Sequence, residues 1–177
     1  HFTLELHPGD TVGIVGVSGS GKSTLADTLA GLAEPCRGER HSQPSAYLTQ
    51  ATVVFEDTVK ANLQLANPNA GDGDMWRVLE IVELAERLAQ NAEGLGTWLG
   101  SAGNRLSGGE ARRLVLARVL LSQAPVVILD EPFTGVDEAT RKRISPQISR
   151  WLQGRTVVCL GHGPDALLPS DRILHLG

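Results

Sequence analysis

Cysteine is nearly absent from this chain. Cys36 and Cys159 are the two in 177 residues, far apart and without C-x-x-C spacing, so neither a disulfide framework nor a zinc site is expected and the chain reads as cytosolic. Long apolar runs are missing too. The most apolar, such as LVLARVLL at 114–121, is short and interrupted by charge, which excludes a membrane-spanning helix and leaves no signal peptide to expect. There is no excess of positive charge: 16 Lys and Arg stand against 20 Asp and Glu, a net charge of −4, with a pI near 5.7. This balance gives no general reason to bind nucleic acid or an anionic membrane surface, and any affinity for phosphate must be local. Heptads and cysteine clusters are absent, so the chain holds no long coiled coil and no zinc insertion.

What the chain does have is glycine, 20 of them, more than average usage supplies and suggestive of backbone working close to ligands. The length suits one domain over residues 1–177, able to bury roughly two thirds of the surface its unfolded form exposes. The opening HFTLELHPGD starts in a strand-like alternation without an initiating methionine, which reads as a segment of something longer.

Apolar, β-branched runs occur at Thr11–Val15, Ala46–Leu48, Val126–Leu129, Thr156–Leu160 and Arg172–Leu176. Stretches of helical spacing lie between them, among them Met75, Val78, Leu79, Val82, Ala85 and Leu88. Short buried strands alternating with helices predict an α/β fold: a mostly parallel sheet flanked by helices, with ligands beyond the carboxyl ends of the strands. NPNAGDGD at 67–74 and the segment 94–103 read as loops. The helical stretch 75–90 between them has no strand partner, so residues 60–106 are expected to be an inserted helical subdomain.

The segment GVSGSGKS at 16–23 fits G-x-x-x-x-G-K-[ST] and follows a strand and precedes a helix, expected over Thr24–Leu32. Glycines let successive amides face one centre, and the helix adds its positive end. Gly16, Ser18, Gly19, Ser20, Gly21, Lys22, Ser23 and Thr24 are therefore candidates to hold a nucleotide. Lys22 would reach the β- and γ-phosphates and Ser23 would ligate Mg²⁺. VVILDEP at 126–132 is a buried strand ending in two carboxylates. Asp130 suits the metal, while Glu131, pointing elsewhere, suits a general base for water.

A second cradle is RLSGGEARR at 105–113. Ser107 and Glu110 are spaced as a capping box at the start of a helix, which places Leu114, Val115, Ala117, Arg118 and Leu121 in an amphipathic arrangement. The box does not explain Gly108 and Gly109, since each glycine costs a first helical turn about 1 kcal/mol against alanine. Close backbone approach to something does.

At this point the sequence resembles the ATP-binding domain of ABC transporters, along its whole length. LSGGE at 106–110 is similar to that family's signature, which usually ends in Gln. GVSGSGKST resembles its Walker A motif, VVILDEP its Walker B, Gln50 its Q-loop glutamine, Gly135-Val136-Asp137 its D-loop and His162 its switch histidine. The resemblance implies a P-loop NTPase-type fold and head-to-tail dimerisation with a second such domain. ATP then lies between the P-loop of one chain and Ser107, Gly108 and Gly109 of the other. It also implies that Gln50 attends Mg²⁺ with Ser23 and Asp130, that His162 contacts the γ-phosphate, and that Asp137 links the two sites. Lys22, Glu131 and His162 become the catalytic set.

QATVVFEDTVKANL at 50–63 resembles the exporter form of this loop. That form implies fusion behind a transmembrane domain, a place on the cytoplasmic face of the plasma or inner membrane, and no nucleic-acid partner. The run at 94–137 is especially similar to one half of the heterodimeric thiol-reductant exporters of cytochrome bd assembly. It implies a heterodimer and a thiol cargo such as cysteine or glutathione. Three features depart from the family. Ser101 stands where exporters often carry a glutamate facing the membrane domain. The segment from Lys22 to Gln50 is short, which implies a trimmed antiparallel β portion. The aromatic residue that stacks on adenine belongs before His1. Chromosome-maintenance and repair ATPases share both cradles but carry a coiled coil or zinc insertions. A purely regulatory ATP-binding domain has no need of Glu131 and His162, and both are present.

Overall fold

Strands rich in β-branched residues on both faces need covering on both sides, which a parallel sheet with crossover helices provides. The computed structural model describes residues 3–41, 43–103 and 105–177, and its five strands lie within one residue of the five apolar runs. They are β1 (Thr11–Gly16), β2 (Ser45–Leu48), β3 (Val126–Asp130), β4 (Thr156–Gly161) and β5 (Arg172–Leu176). They form one sheet of order β2-β3-β4-β1-β5, parallel at every pairing. The register sets strand ends level: Asp130 lies opposite Leu160, and Val15 opposite Gly161.

The chain divides into two compact units, His1–Gln50 with Ala124–Pro132 and Ser149–Gly177, and Ala51–Gln123 with Phe133–Ile148. The first holds the sheet and helix α1 (Lys22–Ala30). Val12, Ile14, Ala26, Ile128, Val158 and Leu160 are fully buried at its centre. Helix α1 begins and ends two residues earlier than expected, and it stops at Gly31, whose φ of 77 is the left-handed geometry that ends a helix. The trimming of the antiparallel portion is complete among the described residues: 33–41 and 43–44 form no strand. The opening segment departs from expectation as well. His1 and Phe2 lie outside the described residues, and residues 3–10 form no strand, although Leu4 and Leu6 pack against the core. Alternating burial needs only a core to face, whereas a strand also needs a neighbour's backbone.

The second unit contains α2 (Val59–Gln64), α3 (Asp72–Ile81), α4 (Ala85–Ala89), α5 (Gly108–Leu121) and most of α6 (Glu138–Trp151). The helical block expected over 60–106 falls inside it. The stretch 75–90 is two helices and not one. Glu83 breaks it with φ 54, a left-handed conformation that costs a side-chain-bearing residue about 1 kcal/mol or more. Two arginines hold the break. Arg113 Nη1 donates to the carbonyls of Val82 and Glu83 at 2.8 and 2.7 Å. Arg143 grips the Glu83 carboxylate with two bonds of 2.7 Å.

Helix α5 is not the amphipathic helix expected. Leu114 to Ala117 and Val119 to Leu121 are all buried, so the helix is enclosed on every side over this stretch. Arg118 lies within it. Its guanidinium donates to the Asn62 and Val53 carbonyls and to Asn62 Oδ1 at 2.9, 3.1 and 2.9 Å, above the Phe55 ring.

Candidate functional site

Four neighbouring strands deliver the predicted residues of the first unit from their carboxyl ends, where an open parallel sheet binds ligands. Gln50 follows β2, Asp130 ends β3 with Glu131 next, His162 follows β4, and the loop 16–21 joins β1 to α1.

The loop is shaped by conformation. Gly19 and Gly21 have φ 81 and 91, and a β-carbon on either would meet nothing within 4 Å. Their lack of a side chain therefore serves the backbone's left-handed turn, which aims amides at one centre. Lys22 is 5% exposed, and its Nζ donates to the carbonyls of Gly16 and Val17 at 2.7 and 2.9 Å. Two carbonyls do not neutralise a buried ammonium, and it has a third proton to give. Ser20 Oγ is buried with no partner among the described residues. A buried cation, an orphaned hydroxyl and a ring of amides together suit a polyphosphate.

Asp130 is fully buried and its Oδ2 accepts the Ser23 hydroxyl at 2.8 Å. One carboxylate with one hydroxyl is a poor cage but a suitable seat for Mg²⁺, which keeps most of its shell as water and substrate phosphate. Among the described residues no cluster of three or more His, Cys, Asp or Glu could hold a metal without such help. Burial first, and then the charge of Asp130, push the Tyr47 phenol well above its ordinary pKa.

Glu131 turns away from Asp130 by adopting φ 51. Its amide donates to the Leu160 carbonyl at 2.9 Å, and its Oε1 accepts Gln50 Nε2 at 3.1 Å and lies 2.8 Å from His162 Nε2. Gln50, Glu131 and His162 thus form one polar cluster from three strand ends. Gln50, expected beside the metal, is bonded to Glu131. Backbone strain of this kind persists where surrounding structure over-determines it, and candidate catalytic groups are where it gathers.

The remaining predicted residues belong to the second unit. Ser107 caps α5: its Oγ accepts the Glu110 amide at 3.3 Å and Glu110 Oε2 accepts the Ser107 amide at 2.8 Å, the reciprocal box read from the spacing. The two glycines separate. A β-carbon on Gly109 would stand 2.5 Å from the Gly135 carbonyl oxygen, whereas one on Gly108 would meet nothing within 4 Å. Gly109 is therefore required by the chain's own backbone, and Gly108 by nothing among the described residues. Asp137 caps α6 by accepting the Thr140 amide at 2.9 Å, and Thr140's amide and hydroxyl hold its carboxyl below the ordinary range. Ser101 donates to Glu56 Oε2 at 3.2 Å, which brings a carboxylate beside the place where the expected glutamate is missing.

Three residues escaped the sequence reading: Arg87, Arg113 and Arg143. Each acts on a partner more than twenty positions away, and the only local hint was a charged Glu110 where Gln is usual.

The sequence profile of the family described as "ABC transporter" matches residues 1–134. The chain is 37% identical over 188 residues to the glutathione/L-cysteine transport system ATP-binding/permease protein CydC of Haemophilus influenzae, an overlap covering 98% of this chain and 33% of that protein. It is 37% identical over 175 residues to the protein of the same description in Escherichia coli K12, with 91% of this chain and 30% of that one covered. An ATP-dependent lipid A-core flippase of Neisseria gonorrhoeae is 29% identical over 188 residues, covering 98% and 30%. Among solved structures, a bacterial Atm1-family ABC exporter with ATP bound superposes with TM-score 0.87 at 28% identity, over 98% of this chain and 33% of that one. The chain spans about a third of the length of the curated relatives it matches.

Proposed function

The chain belongs to the ABC transporter family, and from that membership we propose that it binds and hydrolyses ATP as one half of a head-to-tail pair and drives export through a transmembrane domain. The observation that carries the reading is the convergence at four strand ends of a buried Lys22, a Ser23–Asp130 pair and a Glu131 carboxylate bracketed by Gln50 and His162. Each has one task in phosphoryl transfer, which depends on positioning and charge stabilisation.

Lys22 and the amides from Gly19 to Thr24 hold the triphosphate. Ser23, Asp130 and Gln50 would hold Mg²⁺, which would supply positive charge to offset the negative charge of the triphosphate. Glu131 orients the attacking water and takes its proton, and His162 positions the carboxylate and reaches toward the γ-phosphate. Ser107, Gly108 and Gly109 serve the partner's ATP, with Asp137 beside them in the same unit. Because each nucleotide needs residues of two chains, hydrolysis follows pairing.

The membrane side of the reading is supported by apolar side chains left exposed in the second unit. Val53, Phe55, Leu65 and Trp98 are 50, 49, 58 and 42% exposed in the second unit, suited to an apolar contact with a transmembrane domain. None of the described helices is long and apolar enough to cross a membrane, so that domain has to be supplied from outside these residues. Such docking puts the chain on the cytoplasmic face of the plasma or inner membrane. Relatives named for glutathione and L-cysteine transport support a small thiol as cargo, and the working form we propose is a heterodimer.

The test is Glu131→Gln in the full-length protein with its partner. ATP binding is retained, turnover falls by about a hundredfold or more, and ATP-bound dimers accumulate. Undiminished turnover, or a specific rate indifferent to dilution, overturns the reading.

A further inference from the structure

The first turn of α5 carries a carboxylate that capping does not require. Glutamine completes a capping box as well as glutamate, yet position 110 is Glu, and its Oε2 accepts both the Ser107 amide at 2.8 Å and Arg87 Nη1 at 2.9 Å. The other prong of the same guanidinium, Nη2, donates to the Arg105 carbonyl at 2.8 Å. One arginine from α4 thus holds both the chain entering the turn and the charge inside it. Glu110 is 18% exposed and Arg87 44%, so the pair is only partly screened by water.

The amides of Gly108 and Gly109 begin a helix and have no intrahelical acceptor. They give the turn its attraction for anions, and a bare carboxylate one residue later opposes it. We propose that Arg87 is a positioning residue of this turn: it neutralises Glu110, so that Ser107, Gly108 and Gly109 present an electropositive helix end to a polyphosphate. The proposal rests on the reading above, in which that polyphosphate is the partner chain's ATP. Arg87 touches no substrate and acts through Glu110.

The experiment is a double-mutant cycle on steady-state ATP hydrolysis by the full-length protein with its partner, read as kcat and KM. Arg87→Gln lowers kcat/KM by about tenfold at low ionic strength, chiefly by raising KM. In the E110Q background the same change costs less than about twofold, because no charge remains to neutralise. Added salt shrinks the R87Q penalty, and Arg87→Lys, which keeps the charge and loses the fork, retains most of the activity. An R87Q penalty that is equal in both backgrounds and insensitive to salt overturns the proposal and leaves Arg87 as a prop for the Arg105 carbonyl. If R87Q is too unstable to assay, E110Q must restore both yield and turnover, and failure to do so also overturns it. Failure of the underlying reading looks different: the unsubstituted protein then shows no hydrolysis that E131Q abolishes.

Discussion

The carbonyl oxygen of Gly135 occupies the space that a β-carbon on Gly109 would need, 2.5 Å from its ideal position. Two loops far apart in sequence, 105–110 and 133–137, are thereby pressed backbone to backbone within one unit. Gly109→Ala must push them apart, while Gly108→Ala meets no atom within 4 Å. We expect G109A to lower the melting temperature by several degrees. G108A should hold or raise it, since alanine favours a helical turn by about 1 kcal/mol over glycine. If Gly108 serves a ligand, G108A nevertheless loses ATPase activity. Differential scanning fluorimetry beside a turnover assay separates the two roles, and equal melting temperatures would contradict the contact.

Ser107 offers a distinction between cap and ligand. Ser107→Ala removes the acceptor of the Glu110 amide and costs about 1 kcal/mol of helix stability. Ser107→Arg removes the same acceptor and also fills the mouth of the turn. In a mixed dimer with the change in one chain only, S107R should suppress hydrolysis at the partner's P-loop much more than S107A does and leave binding at its own. Equal effects of the two would reduce Ser107 to a cap.

Glu83 predicts a pH dependence. Its bonds to Arg143 hold its carboxyl below the ordinary 4.5, against the opposing pull of burial. Because the folded group titrates below the free one, the pair stabilises the fold fully above about pH 4.5, and that contribution vanishes as pH falls through the folded value. Glu83→Gln should lower the melting temperature at pH 7 by on the order of 2 °C, and by progressively less as the pH falls below about 4.5. A pH-independent difference would mean that Arg143 does not recognise the charge.

The two thiols should differ in reactivity. Cys36 is exposed and Cys159 buried, with burial pushing the Cys159 thiol from 9.0 up to about 12. An alkylating reagent at neutral pH should modify Cys36 alone in the native protein and both after denaturation, as read by intact mass. Rapid native labelling of Cys159 would show that the sheet opens.

Much of this was legible in the chain because the signals are local. The short apolar runs announce five strands, most clearly β1, β3 and β4, which are buried on both faces, while the edge strand β5 is largely exposed. The glycines at 19 and 21 announce a loop since no other residue turns that way without strain. Ser107 and Glu110, three apart, can find each other within a single turn. Glu83 was not legible: it interrupts a good helical pattern with a conformation that glutamate disfavours. What holds it there is a pair of arginines, one thirty and one sixty positions later. Nor could spacing show that Gln50 and His162 meet on Glu131, for each follows a different strand.

From sequence alone came the identity of the chemistry: a glycine loop with its lysine, a strand ending in two carboxylates, and a second glycine turn. Backbone conformation and short-range capping depend on neighbours within a few positions, and those are written consecutively. Tertiary structure decided which groups share a charge or a boundary. Glu131 with His162, Glu110 with Arg87 and Gly109 with Gly135 are joined across intervals of 31, 23 and 26 residues. Contacts at such separations exist only once the sheet order and the helix paths have brought the strand and helix ends together.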